Sequence, residues 1–320
     1  MPELATSRVL VTGAGGFVGA NLIRALRETG SEVIGLVRPG ALSPRLLDVG
    51  GDVELIVVDA LDPEALEDGV ARARPDLAVN LVVAGRHPEA PAERLRQLEV
   101  AVLGTTCLVE ALARAGCSRL VHLGSSLEYG PRARPHREDH GPAPIVWRGV
   151  AKAAETIACL GSAKVLGLST VVLRPFSVYG PWDHENRLVP VSIRAALRGT
   201  ELPLTEPGIA HDFVHVDDVV RAIFRALTAS SALDGRIFNI GSGEQTTNEA
   251  LVAMVGRIVG RNVLTTVGAH PTRAHDTRVC VADIERARNE LGWAPAVGLE
   301  TGLRATIAWH QARDWAIAIP

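Results

Sequence analysis

A glycine-rich turn close to the N-terminus constrains this chain more than any other feature. Residues 9–26, VLVTGAGGFVGANLIRAL, carry three regularly spaced glycines between an apolar run and an amphipathic helical pattern. Glycine permits a tight turn, and it lets backbone N–H groups approach a pyrophosphate at the N-terminus of the following helix. Because the motif follows a strand and opens a βαβ unit, it predicts a dinucleotide-binding site. The residues expected to line this site are Gly13, Gly15, Gly16, Phe17, Val18 and Gly19.

Short apolar runs alternate with amphipathic helical stretches through the first half of the chain. The predicted strands are residues 8–13, 31–37, 53–59, 76–83, 118–124 and 169–175. Strands of this kind with helices between them indicate a parallel sheet covered on both faces. Beyond residue 180 the pattern loosens, with Pro and Gly at PWDHE, LPLTEPGIA and LGWAP.

We therefore predict an α/β fold of the Rossmann type, a doubly wound parallel sheet with helices on both faces and a smaller, mostly helical C-terminal region that binds substrate. Residues 1–175 are predicted to form the dinucleotide-binding domain, and residues 211–240 to return to it. Residues 176–210 and 241–320 are predicted to form the smaller substrate-binding region.

Composition and charge exclude several classes of protein. A net charge of −3 over 320 residues argues against a nucleic-acid partner. No apolar stretch approaches the roughly 20 residues of a membrane helix, and no leader precedes the first strand, so we expect a cytoplasmic protein without a membrane partner. The four cysteines lack metal-like spacing and are expected to be reduced, and the ten histidines form no HxH or HExxH pattern, so no metal site is expected.

The end of the second strand bears on the choice of dinucleotide. An NAD-binding chain usually carries a carboxylate there, but this sequence has Val37 at that position and Arg38 after it. A guanidinium pairs with a 2′-phosphate, so we expect NADPH or NADP+, with NADH less favoured. A solvated charge at the strand end is the alternative interpretation of Arg38. Asp59 and Ala60, after the third strand, are expected to contact adenine, and Asp59 is alternatively or additionally a helix N-cap.

Five further segments carry a resemblance that runs nearly from end to end. They are LGSSLEYG (123–130), LRPFSVYGP (173–181), HDFVHVDDVVRAI (211–223), FNIGSGE (238–244) and LGWAPAVGLETGLRATIAW (291–309). With the GxxGxxG spacing of the glycine turn, they resemble the extended short-chain dehydrogenase/reductase family, and within it the NAD-dependent epimerase/dehydratase group. The resemblance implies a Rossmann enzyme that moves hydride with a nicotinamide dinucleotide.

The resemblance also assigns roles to a serine or threonine, a tyrosine and a lysine, the last two spaced YxxxK. In the family, the lysine holds the nicotinamide ribose and lowers the pKa of the tyrosine, which transfers the proton, while the serine binds the carbonyl oxygen. Ser125 and Lys152 match the serine and the lysine. The tyrosine position is Arg148, a poor general acid because its pKa lies above about 12. Arg148 would instead bind an oxyanion or a substrate acid, or simply face solvent or a phosphate.

Other positions depart from the family pattern as well. Ala101 replaces the usual asparagine, Val82 and Val83 replace a small Ala-Ala pair, and His211 replaces an arginine that helps to bind the phosphates of nucleotide sugars. Arg273 does match a second such arginine. By resemblance, the nicotinamide side of the site comprises Val82, Lys152, Pro175, Phe176 and Ser177.

Several polar and aromatic residues are candidates for contact with the substrate. Trp147 and Trp182 are expected to flank the cleft, and Tyr179 is a reserve proton donor. The full set of predicted substrate contacts is Arg86, His87, Ser126, Trp147, Tyr179, Trp182 and His211. A polar loop for the first two residues, and ordinary packing for the tryptophans, are the alternatives.

Our first functional hypothesis is an NADPH-dependent ketoreductase that works without a tyrosine acid. Hydride would reach a ketone held near Ser125, and the proton would come from water or from a phenol of the substrate. The pattern resembles the atypical ketoreductases of angucyclinone biosynthesis, so we predict an aromatic polyketide substrate in secondary metabolism.

Two alternatives remain open at this stage. One is a nucleotide-sugar epimerase, dehydratase or 4-ketoreductase, and the other is a sensor that binds NADP(H) without catalysis. The chain is expected to be a monomer or a homodimer. The resemblance implies that a dimer would form through the helices at 91–116 and 147–166.

Overall fold

The computed structural model describes residues 2–40, 43–49, 51, 53–83 and 90–313. The strands are β1 (Arg8–Thr12), β2 (Glu32–Val37), β3 (Glu54–Val57), β4 (Leu77–Asn80), β5 (Arg119–Leu123), β6 (Ser169–Pro175), β7 (Ser177–Tyr179), β8 (Leu202–Leu204), β9 (Ala210–His211), β10 (Phe213–His215), β11 (Ile237–Ile240), β12 (Thr246–Thr247) and β13 (Thr265–Val267). The helices are α1 (Pro2–Ala5), α2 (Phe17–Thr29), α3 (Pro63–Ala73), α4 (Pro91–Glu99), α5 (Thr105–Arg114), α6 (Trp147–Leu166), α7 (Leu188–Arg198), α8 (Val216–Leu227), α9 (Asn248–Val259), α10 (Glu285–Asn289) and α11 (Leu299–Gln311). A π-helical segment, Val100–Gly104, joins α4 to α5.

Seven strands form one parallel sheet in the order β11-β6-β5-β4-β1-β2-β3. The six predicted strands are all present, each within its predicted range, and β11 joins the edge beside β6. The strand order reverses between β1 and β4, and sheets of this type bind ligands beyond the carboxyl ends of their strands at such a point. The predicted fold class is confirmed, while the predicted domain boundaries stay a prediction.

Side chains of the sheet alternate between two apolar layers. Val9 and Val11 belong to the layer that contains α2 and α8, whereas Leu10 belongs to the layer that contains α3, α5 and α6. The predicted amphipathic helices therefore cover both faces. The glycine turn leads from β1 into α2, so it lies at the carboxyl edge of the sheet.

A row of polar side chains lies at the carboxyl edge of the sheet, on the face that belongs to the layer of Leu10. Thr12, Asn80 and His122 occupy paired positions on β1, β4 and β5. Because strand side chains alternate, Thr12 shares its face with Leu10, the face that α6 covers. All three polar residues are almost completely buried.

A smaller core lies beyond the sheet and contains parts of α7, α9 and α11. Two strand pairs accompany it, β7 with β10 and β9 with β12. Tyr179 is one of its largest buried side chains, and its hydroxyl donates to the carbonyl oxygen of Leu299 at 3.2 Å. Helix α8 begins at Val216 with Asp217 and Asp218 in its first turn, which suits the helix dipole.

Candidate active site

The glycine turn is shaped so that its backbone faces outward at the carboxyl edge. Gly13 has a φ of +65°, and a Cβ added to it would lie 2.8 Å from the carbonyl oxygen of Leu81. A Cβ at Gly19 would overlap the carbonyl oxygen of Gly13. Gly16 is the N-cap of α2, and its N–H donates to the carbonyl of Gly13 at 2.9 Å. Only glycine fits at positions 13 and 19 without moving backbone atoms.

The N-terminus of α2 fits the pyrophosphate of a dinucleotide. The N–H groups of Phe17, Val18 and Gly19 form the first turn, where an α-helix offers no internal acceptors. That turn contains no acidic side chain that would repel a phosphate. Gly15, in the turn itself, is partly exposed beside it. The geometry of the α2 N-terminus is therefore compatible with the predicted pyrophosphate site.

The end of β2 presents one cation to solvent. Arg38 is exposed directly after β2, while the side chain of Val37 is buried. Within the residues that the structure describes, Arg38 forms no ion pair that would neutralise it. The positive charge is thus available to a ligand at the carboxyl edge.

The end of β3 corrects one prediction. Asp59 accepts a hydrogen bond from the N–H of Leu61 at 3.1 Å and forms an ion pair with Arg96 at 3.0 Å. The interpretation of Asp59 as a helix cap is wrong, because Asp62 caps α3 and accepts from the N–H of Ala65 at 3.0 Å. Contact of Asp59 and Ala60 with adenine stays a prediction.

Lys152 ties α6 to the carboxyl edge of the sheet. Its Nζ donates to the carbonyl of Leu123 at 2.9 Å and to that of Val82 at 3.2 Å, and it lies 2.8 Å from Oε2 of Glu155. An ammonium group has three N–H donors, so these contacts use all of them. Lys152 is only 4% exposed. The contact to the carbonyl of Val82 is the longest of the three, and binding of the ribose by Lys152 stays a prediction.

Ser125 is fixed by a buried carboxylate. It precedes a short helical turn, Ser126–Glu128, in which its hydroxyl oxygen accepts from the N–H of Leu127 at 3.2 Å and its own N–H donates to Glu128 at 2.7 Å. Glu128 is fully buried and forms an ion pair with Arg174 at 2.7 Å. Burial raises the pKa of Glu128, and the charge of Arg174 opposes that rise. The hydroxyl hydrogen of Ser125 stays available to donate.

The departures from the family pattern converge on one cavity. Arg148 lies in the first turn of α6, one turn before Lys152, and Ala101 of the π-helical segment lines the same cavity. The cavity between them is lined by Val82, Val83, Gln97, Val100, Ala101, Arg148, Ala151, Lys152 and Glu155. Substitutions at three separate places in the sequence therefore change a single space beside the lysine.

Arg148 also approaches the loop that contains Arg273. Burial lowers the pKa of His275, Asp276 opposes this, and the charges of Arg273 and Arg148 lower it further. His211, on β9, has its pKa lowered to about 4, chiefly by burial, so it is neutral at physiological pH. Unlike the arginine of the family pattern, His211 contributes no positive charge.

The residues predicted to contact nicotinamide are positioned by Asp212. β6 ends at Pro175, and the next residue, Phe176, is buried. The N–H of Ser177 then donates to the backbone carbonyl of Asp212 at 2.9 Å. The side chain of Asp212 accepts four hydrogen bonds. Three come from the backbone N–H groups of Ser242, Gly243 and Ala282, and the fourth comes from the hydroxyl of Ser242. The loops of the second region are therefore anchored behind the predicted nicotinamide contacts.

Two aromatic predictions are wrong. Trp182 does not flank the cleft; it is 5% exposed and its ring lies 3.4 Å from the guanidinium of Arg313, with Trp309 at 5.2 Å. Tyr179 is not a reserve proton donor, because its buried hydroxyl is bound to the backbone and burial raises its pKa well above the ordinary value.

The remaining substrate candidates have mixed positions. Trp147 is 45% exposed at the start of α6, beside Arg148. Ser126 is partly exposed in the turn after Ser125. Arg86 and His87 lie outside the described residues.

Some residues of the site were not predicted. Glu155 pairs with Lys152, His122 and Asn80 lie next in the buried polar row, and Glu128 and Asp212 hold the flanking turns. A signal did exist for Glu155, which stands three residues after Lys152 on a helix, a spacing that lets side chains meet. For Asn80 and His122 the signal was polar residues at the carboxyl ends of otherwise apolar strands.

The fold and the edge of the sheet together define a class: a Rossmann-type enzyme that performs oxidoreductase chemistry with a nicotinamide dinucleotide. Within that class, the chain belongs to the NAD dependent epimerase/dehydratase family, whose sequence profile matches residues 9–241. This confirms the family that the sequence motifs indicated.

Relatives and solved structures with similar sequences are associated with nucleotide sugars. A dTDP-glucose 4,6-dehydratase of Streptomyces griseus is 30% identical over 97% of this chain and 96% of its own length. A dTDP-6-deoxy-L-talose 4-dehydrogenase (NAD(P)(+)) of Kitasatospora kifunensis is 31% identical over 95% of both chains. The structure of MoeE5 in complex with UDP-glucuronic acid and NAD is 32% identical, with a TM-score of 0.84 over 95% of this chain and 99% of MoeE5. These similarities support the nucleotide-sugar alternative better than the aromatic polyketide.

In the part of the chain that the structure describes, no helix has the length and apolar character needed to cross a membrane. Across the same residues, no group of three or more His, Cys, Asp or Glu side chains is arranged to hold a metal ion. The four cysteines are free.

Replacing Gly19 with alanine should abolish tight dinucleotide binding. The new Cβ would overlap the carbonyl of Gly13 and lie 2.9 Å from that of Ala14, so the turn must shift away from the helix N-terminus. We expect at least about tenfold weaker binding of NADPH by fluorescence titration, equivalent to roughly 1.4 kcal/mol. Gly161→Ala is the matched control, because its Cβ would meet nothing within 4 Å. Equal affinity in Gly19→Ala and the control would contradict a role for this turn.

Proposed function

We propose that this protein is an NADPH-dependent reductase of a keto group on a nucleotide-linked sugar. One observation carries the proposal: Arg148, Ala101 and the Val82–Val83 pair, all departures from the family pattern, line a single cavity with Lys152. The glycine turn follows the family pattern, whereas the residues on the side where the family transfers a proton depart from that pattern together. The nearly end-to-end similarity to nucleotide-sugar enzymes supports the substrate class.

The chemistry of Arg148 favours reduction over oxidation. Oxidation of a sugar hydroxyl, with which an epimerase or dehydratase cycle begins, needs a base that accepts the hydroxyl proton. A guanidinium with a pKa above about 12 carries its full set of protons and cannot accept another. Reduction of a ketone that is already present needs a group that stabilises the developing oxyanion, and a cation serves that purpose.

The residues divide the work of such a reduction. A bound nicotinamide dinucleotide supplies the hydride. The guanidinium of Arg148 and the hydroxyl of Ser125 donate hydrogen bonds to the carbonyl oxygen as negative charge develops there. Lys152 binds the ribose. The proton comes from water, because arginine retains its own near neutrality.

A second candidate substrate is the ketone of an aromatic polyketide. The exposed ring of Trp147 beside Arg148 could stack on a flat substrate. The neutral His211 also weakens recognition of a diphosphate. In this case a phenol next to the ketone would supply the proton.

Replacement of Arg148 should impair reduction strongly. In single-turnover assays with NADPH and a nucleotide-linked 4-keto sugar, Arg148→Ala should be about 10²–10³-fold slower than the wild type, as expected for the loss of one oxyanion donor. Arg148→Lys should recover part of the rate, because it restores the charge without the planar fork. Arg134→Ala, which removes an exposed arginine from the loop that precedes α6, is the control.

Other outcomes of the same assays separate the rival functions. Epimerisation of UDP-glucose or dehydration of dTDP-glucose by the wild type with NAD+ would contradict the proposal. Reduction of aromatic ketones alone would establish the second candidate. Binding of NADPH without turnover of any of these compounds would identify a sensor.

Arg38 should decide the preference for NADPH over NADH. Arg38→Ala removes a charge-assisted contact with a 2′-phosphate, worth about 1.5–3 kcal/mol, and should weaken NADPH binding by about 10- to 100-fold. NADH binding should change by less than about twofold. Direct titration with both dinucleotides measures this, and an equal loss for both would show that Arg38 does not read the phosphate.

We further infer that the chain forms a homodimer through α6 and the α4–α5 segment. Ile157 and Val165, two helical turns apart on α6, are 63% and 85% exposed, and Leu103 in the π-helical segment is 57% exposed. Ile157→Glu should convert a dimer to a monomer in sedimentation velocity, because it buries a charge in an apolar contact. A monomeric wild type would refute the dimer without affecting the proposed reaction.

A further inference from the structure

The buried polar row at the carboxyl edge has a defined direction of hydrogen bonding. The N–H of Leu81 donates to Oγ1 of Thr12 at 3.1 Å, so the Thr12 hydroxyl donates its own hydrogen to Oδ1 of Asn80, at 2.7 Å. The same Oδ1 accepts from the N–H of Val82 at 3.3 Å. Asn80 must therefore turn its amide nitrogen towards His122.

His122 is held as one neutral tautomer by this row. Nδ2 of Asn80 lies 3.3 Å from Nδ1 of His122, so Nδ1 accepts and the ring proton is on Nε2. Burial first, and the charge of Lys152 second, keep the pKa of His122 well below its usual value. Nε2 has no hydrogen-bond partner within the described residues, and it lies 4.0 Å from Oε1 of Glu155.

Glu155 lies 4.0 Å beyond the end of this row and is surrounded by ionisable groups. Lys152 and Cys159 face it from its own helix, His122 from β5, and Glu128 from the turn after β5. Its side of α6 also borders the cavity of Arg148. Burial raises the pKa of Glu155 to about 7, and the charge of Lys152 opposes this rise.

We propose that Glu155 is the positioning residue of Lys152. Two close contacts, to Glu155 and to the carbonyl of Leu123, fix the ammonium group. The longer contact to Val82 is the one that a ribose hydroxyl replaces. This last step rests on the proposed function. Lys152 thus keeps its place although the residue one turn earlier is an arginine.

The ion pair between Glu155 and Lys152 depends on pH. Above the pKa of Glu155, the carboxylate attracts the ammonium. As the pH falls through about 7, Glu155 takes up a proton and the ion pair is lost. The position of Lys152, and with it the affinity for a dinucleotide, should therefore be better defined at pH 8 than at pH 6.

The sequence offers a direct test, because Lys152 and the exposed Lys164 are its only lysines. Protein labelled with ¹³C at the lysine ε-carbon gives two NMR signals, which Lys164→Arg assigns. The Lys152 signal should show an inflection near pH 7 between about pH 6 and 8.5, and the signal of the exposed Lys164 serves as the internal reference. Glu155→Gln should abolish the inflection. Glu28→Gln, an exposed change on α2, should leave it intact.

Dinucleotide binding provides the second readout. Glu155→Gln should bind NADPH about tenfold more weakly at pH 8, and its affinity should not vary between pH 6 and 8. A flat Lys152 signal in the wild type, or an inflection that persists in Glu155→Gln, would overturn the inference. The wild-type titration decides the matter even if Glu155→Gln fails to fold. An inflection in a wild type that binds no dinucleotide would support the positioning role and overturn the proposed function.

Discussion

The buried ammonium of Lys152, which is paired with Glu155 on the same helix, holds the active-site helix against the sheet. Both side chains are buried, so their attraction must offset a large cost of desolvation. It does so because the ammonium also reaches the carbonyls of Leu123 and Val82, at the ends of two neighbouring strands. Loss of either partner would leave a buried charge without compensation, a change that typically costs about 3–5 kcal/mol. The positions of Arg148 and of the cavity beside it follow from how this helix is seated.

This arrangement explains how one site can keep its lysine and lose its tyrosine. Lys152 is oriented by the carboxylate of Glu155 and by the backbone carbonyls of Leu123 and Val82, and not by the residue one turn earlier. An arginine at position 148 can therefore change the chemistry on the substrate side without displacing the lysine. With Ala101 and Val82 lining the same space, the site has exchanged a proton-transferring group for a cation, and a cation suits an oxyanion better than a hydroxyl.

The sequence predicted those parts of the structure that local rules determine. Strand periodicity located six strands, and the glycine spacing located the turn, since both patterns depend on neighbouring residues alone. The aromatic predictions failed because tertiary packing decides where a ring points. Trp182 has a φ of +69° and turns towards Arg313, and no pattern around PWDHE signals that. Glu155 was missed because its spacing from Lys152 permits a contact on any helix surface, and only the structure shows that both side chains are buried. The substrate class depended on similarity, since the residues around Arg148 fit more than one ketone.

The most direct test of the account is a crystal structure with NADP+ and a nucleotide-linked 4-keto sugar bound. The account predicts that the guanidinium of Arg148 lies within about 2.7–3.2 Å of the keto oxygen while Lys152 stays on Glu155. It would be contradicted by a keto oxygen bound to another protonatable side chain, with Arg148 directed away from the sugar.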